Sequence, residues 1–217
     1  MKRHRININL HSILLILIGL IIVNVSFGEN NSSLTEVDIE PLDGAKLYEE
    51  KTCFLCHGLD GKTPIAPIYP KIAGQELEYI RQQLKDIKSG ARDNAQTAAM
   101  HGIMQLVTEE ELEVIASHVA SLDRGKIDQK PDRRSIGAKL FKRKTCFTCH
   151  GRKGQTPIME NYPKLAGQNA EYAVQQIKDI KSGVRNNGMA AAMNSVMFMV
   201  NDEEIDIIAK YIETLEP

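Results

Sequence analysis

Cys53-Phe54-Leu55-Cys56-His57 and, 93 positions later, Cys146-Phe147-Thr148-Cys149-His150 are the stretches from which the rest of this 217-residue chain is read. The two pairs account for all 4 cysteines, and the spacing within them is the same. The likeness extends far beyond them. Displaced by 93, residues 44–122 align with residues 137–215 without a gap, and 43 of the 79 aligned positions are identical. A period this long is a tandem duplication of a whole domain, because solenoid repeats are shorter and need more copies. The expected organisation is a leader over residues 1–28, a first domain over 29–124, a polar linker over 125–136 and a second domain over 137–217.

Within each copy the apolar period is helical. Residues 75–89 set Leu77, Ile80, Leu84 and Ile87 on one face and stop at Gly90, and residues 168–182 do the same before Gly183. Thr108-Glu109-Glu110-Glu111 fits a capping box and opens a helix carrying Leu112, Ile115, Ala116, Val119 and Leu122. Asn201-Asp202-Glu203-Glu204 starts its twin at Ile205. A first helix over 44–50, and again over 137–143, leads into each cysteine pair. No segment alternates as a strand. The expectation is an all-α fold of two tandem domains, each of about three helices joined by long loops that wrap something. Aromatic residues make up 5% of the chain and Trp is absent, so cores of this size are thin unless another group helps to fill them.

C-x-x-C-H is the attachment signature of haem c. Two thiols at the end of a helix each add to a vinyl group of one porphyrin, and the adjoining His then lies beneath the iron. A thioredoxin-like redox pair expects a βαβ setting, a zinc ribbon places its second pair ~15–20 residues on, and a disulfide leaves the adjoining His unexplained. The expectation is therefore two haem c groups, covalently bound through Cys53, Cys56, Cys146 and Cys149, with His57 and His150 on the irons. For the far face of each iron Met is the first candidate, since His/Met ligation suits an electron carrier. Met159, Met189 and Met199 align with Ala66, Gln96 and Leu106, which removes them. Met100 with Met193 and Met104 with Met197 remain, and spacing does not choose between the pairs.

These sites, the stretches Tyr69-Pro70-Lys71-Ile72-Ala73-Gly74-Gln75 and Tyr162-Pro163-Lys164-Leu165-Ala166-Gly167-Gln168, the later Lys-Asp-Ile-Lys-Ser-Gly-x-Arg and the late Met before an acidic helix start have a family likeness. Together, over nearly all of residues 44–215, they resemble the dihaem class I cytochromes called cytochrome c4. The resemblance implies that the ligand is the Met eight positions before the cap of the last helix. That is Met100 before Thr108 and Met193 before Asn201, which leaves Met104 and Met197 to pack. Asn replaces the usual hydroxyl at the second cap and caps equally well. The resemblance also implies that the carbonyls of Pro70 and Pro163 orient the histidines, and that Gly44, Tyr48, Gly137 and Phe141 pack the first helix on the last. Arg92 and Arg185, in the loop before each Met, are read as partners of haem propionates or as solvated charges. His101 is read as a surface or propionate-edge residue and His118 as a helix-face residue.

Lys2, Arg3 and Arg5 precede an apolar run over residues 13–23, and Ser26-Phe27-Gly28 offers a small-x-small site, the pattern of a secretory signal peptide. The run is shorter than the ~20 residues of a membrane span, so cleavage after Gly28 and a periplasmic location are expected, with an uncleaved anchor the weaker reading. With 27 basic and 28 acidic side chains, the chain has no basic excess for binding nucleic acid. The charge is unevenly spread. Residues 29–124 carry 9 basic and 17 acidic side chains, net −8, and residues 125–217 carry 15 and 11, net +4. Lys139, Lys142, Arg143, Lys144, Arg152 and Lys153 flank the second site, where the first copy has Lys46, Glu49, Glu50, Lys51 and Asp60.

An iron with both axial positions filled has no place for a substrate. The expected role is electron transfer between redox proteins rather than catalysis, with the second domain docking on an acidic partner such as a terminal oxidase and the first receiving electrons. A cytochrome subunit of a periplasmic dehydrogenase complex is the alternative, and a dihaem peroxidase a weaker one. Peripheral membrane association is compatible with either of the first two.

Overall fold

The computed structural model describes residues 41–128 and 130–217, and the expected signal peptide over 1–28 lies outside them. Among the described residues the chain is helical and contains no strand, as the all-α expectation required. The first copy forms α1 (Gly44–Glu50), α2 (Phe54–His57), α3 (Leu77–Ser89), α4 (Thr97–Met104) and α5 (Glu109–Ser121). The second forms α6 (Ile136–Arg143), α7 (Cys146–His150), α8 (Ala170–Ser182), α9 (Ala190–Met197) and α10 (Asp202–Glu213).

Five helices per copy replace the expected three. The additions are the single turn at each cysteine pair and the methionine-bearing α4 and α9. Thr97–Met104 and Ala190–Met197 are rich in Ala and Met, which favour a helix, but are too short to show a period. The long helices also begin later than expected, at Leu77 and Ala170 instead of Gln75 and Gln168. Each Gln turns back to accept the next backbone N–H, from Glu76 and Asn169 respectively, both at 3.0 Å, and its amide is then committed elsewhere.

The caps form as the sequence dictates. Thr108 Oγ1 accepts Glu111 N–H at 3.2 Å while the Glu111 carboxylate accepts Thr108 N–H at 2.8 Å. Asn201 and Glu204 repeat the exchange at 2.8 and 3.0 Å. The same two carboxylates also take Lys51 and Lys144, each at 2.8 Å, which ties the start of each last helix to the end of the first.

The first helix of each copy crosses the last at a glycine. A Cβ on Gly44 would lie 2.5 Å from His118 Cβ and 2.9 Å from Val114 O. One on Gly137 would lie 2.5 Å from Tyr211 Cβ and 3.0 Å from Ile207 O. The close approach lets the Tyr48 and His118 rings meet at 5.7 Å and the Phe141 and Tyr211 rings at 5.8 Å, the packing role expected of these positions. Beneath each crossing is a separate apolar cluster, built on Leu47, Leu84, Ile87, Leu112 and Ile115 in one half and on Leu140, Ile180, Ile205, Ile208 and Ile212 in the other.

Gly44→Ala and Gly137→Ala are each expected to destabilise the protein by about 1–3 kcal/mol in thermal unfolding, the usual cost of overpacking. Gly102→Ala is the control. A Cβ there meets nothing within 4 Å, so the replacement is expected to be neutral or stabilising by up to about 1 kcal/mol.

Candidate functional site

Each cysteine pair is introduced by a strained residue. Thr52 and Thr145 have φ of 61° and 60°, a left-handed conformation that β-branched residues rarely enter. The bend turns the chain from α1 into α2, and from α6 into α7. All four cysteines are free and half-buried. Burial pushes the Cys53 and Cys146 thiols up to about 11, so both are neutral thiols at physiological pH.

His57 and His150 follow at once and are buried. His57 Nδ1 lies 3.0 Å from the Pro70 carbonyl and His150 Nδ1 lies 2.9 Å from that of Pro163. A carbonyl only accepts, so Nδ1 must carry the proton, which leaves the Nε2 lone pair free. Burial lowers both imidazole pKa values below the ordinary range, opposed by the bond to the proline carbonyl, and both rings are held neutral.

A cavity of about 540 Å³ runs through both halves. Cys53, Cys56, His57 and Met100 line it in the first half, and Cys146, Cys149, His150 and Met193 line it in the second. Met104 and Met197 also reach its wall, but they are 4% and 3% exposed and belong to the apolar clusters. Met100 and Met193 are only partly buried, at the margins of those clusters. Met159, Met189 and Met199 are exposed. Two thiols, a neutral imidazole with a free Nε2 and a thioether, gathered on one apolar cavity, are the donors that fasten and ligate haem c. The residues fit the group in both halves.

Arg92 and Arg185 are not solvated: each is 7% exposed and lies where the two halves meet. Arg92 donates to Gln83 Oε1 of its own half at 2.9 Å, and across to Gln176 Oε1 at 3.0 Å and Tyr172 Oη at 3.2 Å. Arg185 reciprocates with Gln176 at 3.0 Å, Gln83 at 3.0 Å and Tyr79 at 3.1 Å. Asn94 donates to Asp179 and Asn187 to Asp86, both at 2.6 Å, which closes the network. Both arginines also line the cavity. The tyrosine, glutamine and asparagine pairs were not foreseen. The one trace they leave in the sequence is identity between the copies at polar positions that need not be identical if they face water.

His101 is exposed, with Nδ1 2.7 Å from the Ile87 carbonyl, and its twin Asn194 donates to the carbonyl of Ile180. Both tether the end of the preceding long helix, and the exposure of His101 agrees with its reading as a surface residue.

Arg92→Ala would leave Gln83, Tyr172 and Gln176 short of a donor at a buried junction. A loss of about 1–3 kcal/mol in thermal unfolding is expected. Arg92→Lys, which keeps the charge but not the planar fork, should recover only part of it.

The chain was compared with known proteins. The cytochrome c family model matches residues 42–123 and again residues 135–216. Cytochrome c4 of Stutzerimonas stutzeri is 33% identical over 178 residues, which cover 75% of this chain and 84% of that protein. The thiosulfate dehydrogenase electron acceptor of Stutzerimonas stutzeri strain A1501 is 29% identical over 195 residues, covering 82% and 88%. The crystal structure of reduced recombinant cytochrome c4 from Pseudomonas stutzeri superposes with a TM-score of 0.65 at 28% identity, covering 79% of this chain and 96% of that one. The duplicated donor set and these relationships agree: the chain belongs to the cytochrome c family, as a dihaem electron-transfer cytochrome of the c4 group with two covalently bound haem c groups.

Proposed function

We propose that the protein carries single electrons between redox proteins in the periplasm and that each half holds its haem with its own residues. Cys53 and Cys56 would hold the first haem through thioethers, and His57 and Met100 would ligate its iron. Cys146, Cys149, His150 and Met193 would do the same in the second. The observation that supports this best is the repetition of one donor set on one apolar cavity. Bound there, haem c supplies a one-electron ferric/ferrous couple. With a His and a Met in each half available to ligate the iron, these residues would hold and tune a redox centre. Apolar side chains such as Ile80, Leu84, Ile177 and Ile180 line the cavity and keep water from it.

The periplasmic location draws on the secretory pattern of residues 1–28, with domains over 29–124 and 137–217 around a linker at 125–136. Among the described residues no helix is long and apolar enough to cross a membrane.

Mass and an absorption spectrum of the exported protein test the ligands. The expected result is two haems' worth of added mass and a Met-to-ferric-iron charge-transfer band. Met100→Ala and Met193→Ala should each remove part of that band, whereas Met104→Ala and Met197→Ala should leave it while lowering stability by about 2–5 kcal/mol. Retention of the full band in both Met100→Ala and Met193→Ala overturns the assignment.

The two halves present different charge to partners. Lys139, Lys142, Arg143, Arg152 and Lys153 are exposed in the second half, as are Phe198 and Met199. At matching positions the first half carries the exposed Glu49 and Glu50, and Leu55 and Leu106 are exposed as well. The second half accordingly docks on an acidic acceptor, such as a terminal oxidase, and the first receives electrons. Charged faces steer encounter in a salt-dependent manner. Electron transfer to an acidic partner should slow as ionic strength rises, and Lys142→Gln with Arg143→Gln should flatten that dependence while Glu49→Gln with Glu50→Gln does not. Equal effects of the two pairs would remove the docking assignment. A second reading, a cytochrome subunit serving a periplasmic dehydrogenase, is favoured by the relative named a thiosulfate dehydrogenase electron acceptor. Copurification with a dehydrogenase distinguishes it from a free carrier.

A further inference from the structure

We infer that Gln168 and Asn169 of the second half, and Gln75 of the first, are positioning residues that tune the haem of the opposite half through its proline carbonyl. The inference rests on His57 and His150 being iron ligands, as proposed above. Pro70 belongs to the first half, yet the peptide groups on both sides of it are held by the second. Gln168 Oε1 accepts Lys71 N–H at 2.9 Å and Gln168 Nε2 donates to Lys71 O at 2.9 Å. Asn169 Nδ2 donates to Tyr69 O at 2.8 Å. Lys71 Nζ reaches back to Gly167 O at 2.9 Å. The Pro70 carbonyl, 3.0 Å from His57 Nδ1, is bracketed by these bonds.

The coupling is direct because a peptide unit is planar. The carbonyl of Pro70 and the N–H of Lys71 are opposite ends of one rigid plate, one end on His57 and the other on Gln168. Holding the N–H fixes the direction of the carbonyl. It also polarises the unit, since hydrogen bonds in a chain strengthen one another. A stronger acceptor on Nδ1 makes the imidazole a more basic ligand, which favours the ferric state. In the reverse direction Gln75 Oε1 accepts Lys164 N–H at 2.6 Å and Gln75 Nε2 donates to Lys164 O at 2.9 Å, beside the Pro163 carbonyl that holds His150. The reciprocity is incomplete. Glu76 stands where the second copy has Asn169, and it pairs with Lys164 Nζ at 3.1 Å; an ionised carboxylate has no donor for the Tyr162 carbonyl. The first-half histidine is therefore bracketed from both sides and the second-half histidine from one.

The test uses the full-length holoprotein. The hyperfine-shifted resonances of each haem are followed through a redox titration, and exchange of the two proximal ring N–H protons is measured by NMR. Gln168→Leu and Asn169→Ala are each expected to raise the potential of the first-half haem and to speed exchange of the His57 ring proton, leaving His150 and the second-half haem unchanged. Gln75→Leu should do the converse. A shift confined to the variant's own half, an equal shift in both halves, or no shift overturns the inference. If Gln168→Leu does not load both haems, Asn169→Ala, which removes only the bond to Tyr69, decides the matter. Absence of hyperfine-shifted ring protons from His57 and His150 in the parent protein would instead overturn the ligand assignment, so the two failures are told apart.

Discussion

A buried imidazole offers one nitrogen reliably only if the other is occupied, and in both halves of this protein a proline carbonyl occupies it. The bonds from His57 to Pro70 and from His150 to Pro163 set tautomer and ring direction, while burial, acting against those bonds, keeps the rings neutral. Much of the surrounding architecture serves them. The strained Thr52 and Thr145 bend the chain so that cysteines and histidine share one turn, and the crossings at Gly44 and Gly137 bring the first helix onto the last, closing the apolar wall behind that turn.

The second organising feature is polar. Where the halves meet, Arg92, Asn94, Gln176 and Asp179 interlock with Arg185, Asn187, Gln83 and Asp86, all in hydrogen bonds. Duplication explains how such a junction arises. Two copies of one surface can satisfy each other's donors and acceptors reciprocally, so identity between the copies is needed at these polar positions as much as in the cores. Charge obeys no such constraint outside the junction, and between the aligned residues 44–122 and 137–215 it has moved from net −3 to net +3. Inner faces alike and outer faces unlike are what the proposed docking of the two halves on different partners would require.

The fold class, the duplication, the caps at Thr108 and Asn201 and the covalent chemistry were legible in the chain because each rests on residues close in sequence. A C-x-x-C-H turn, a box of four residues and a helical period are local objects. The choice of Met100 and Met193 rests on family resemblance, since Met100 and Met104 on α4, like Met193 and Met197 on α9, sit one helical turn apart and spacing alone cannot separate them. The helicity of those segments was not foreseen, because eight residues rich in Ala and Met carry no polar face to announce a period.

What the sequence determined by itself is therefore the inventory: two copies, the same donors in each, and opposite charge outside. Only the tertiary structure decided where Arg92 and Arg185 go, why Gln75 and Gln168 stand outside their helices, and which half holds the loop beside each histidine. Those outcomes depend on contacts between residues 80 to 106 positions apart. Such contacts leave no periodicity and no motif, since a buried amide that grips a distant peptide is spelled in the chain like any surface glutamine.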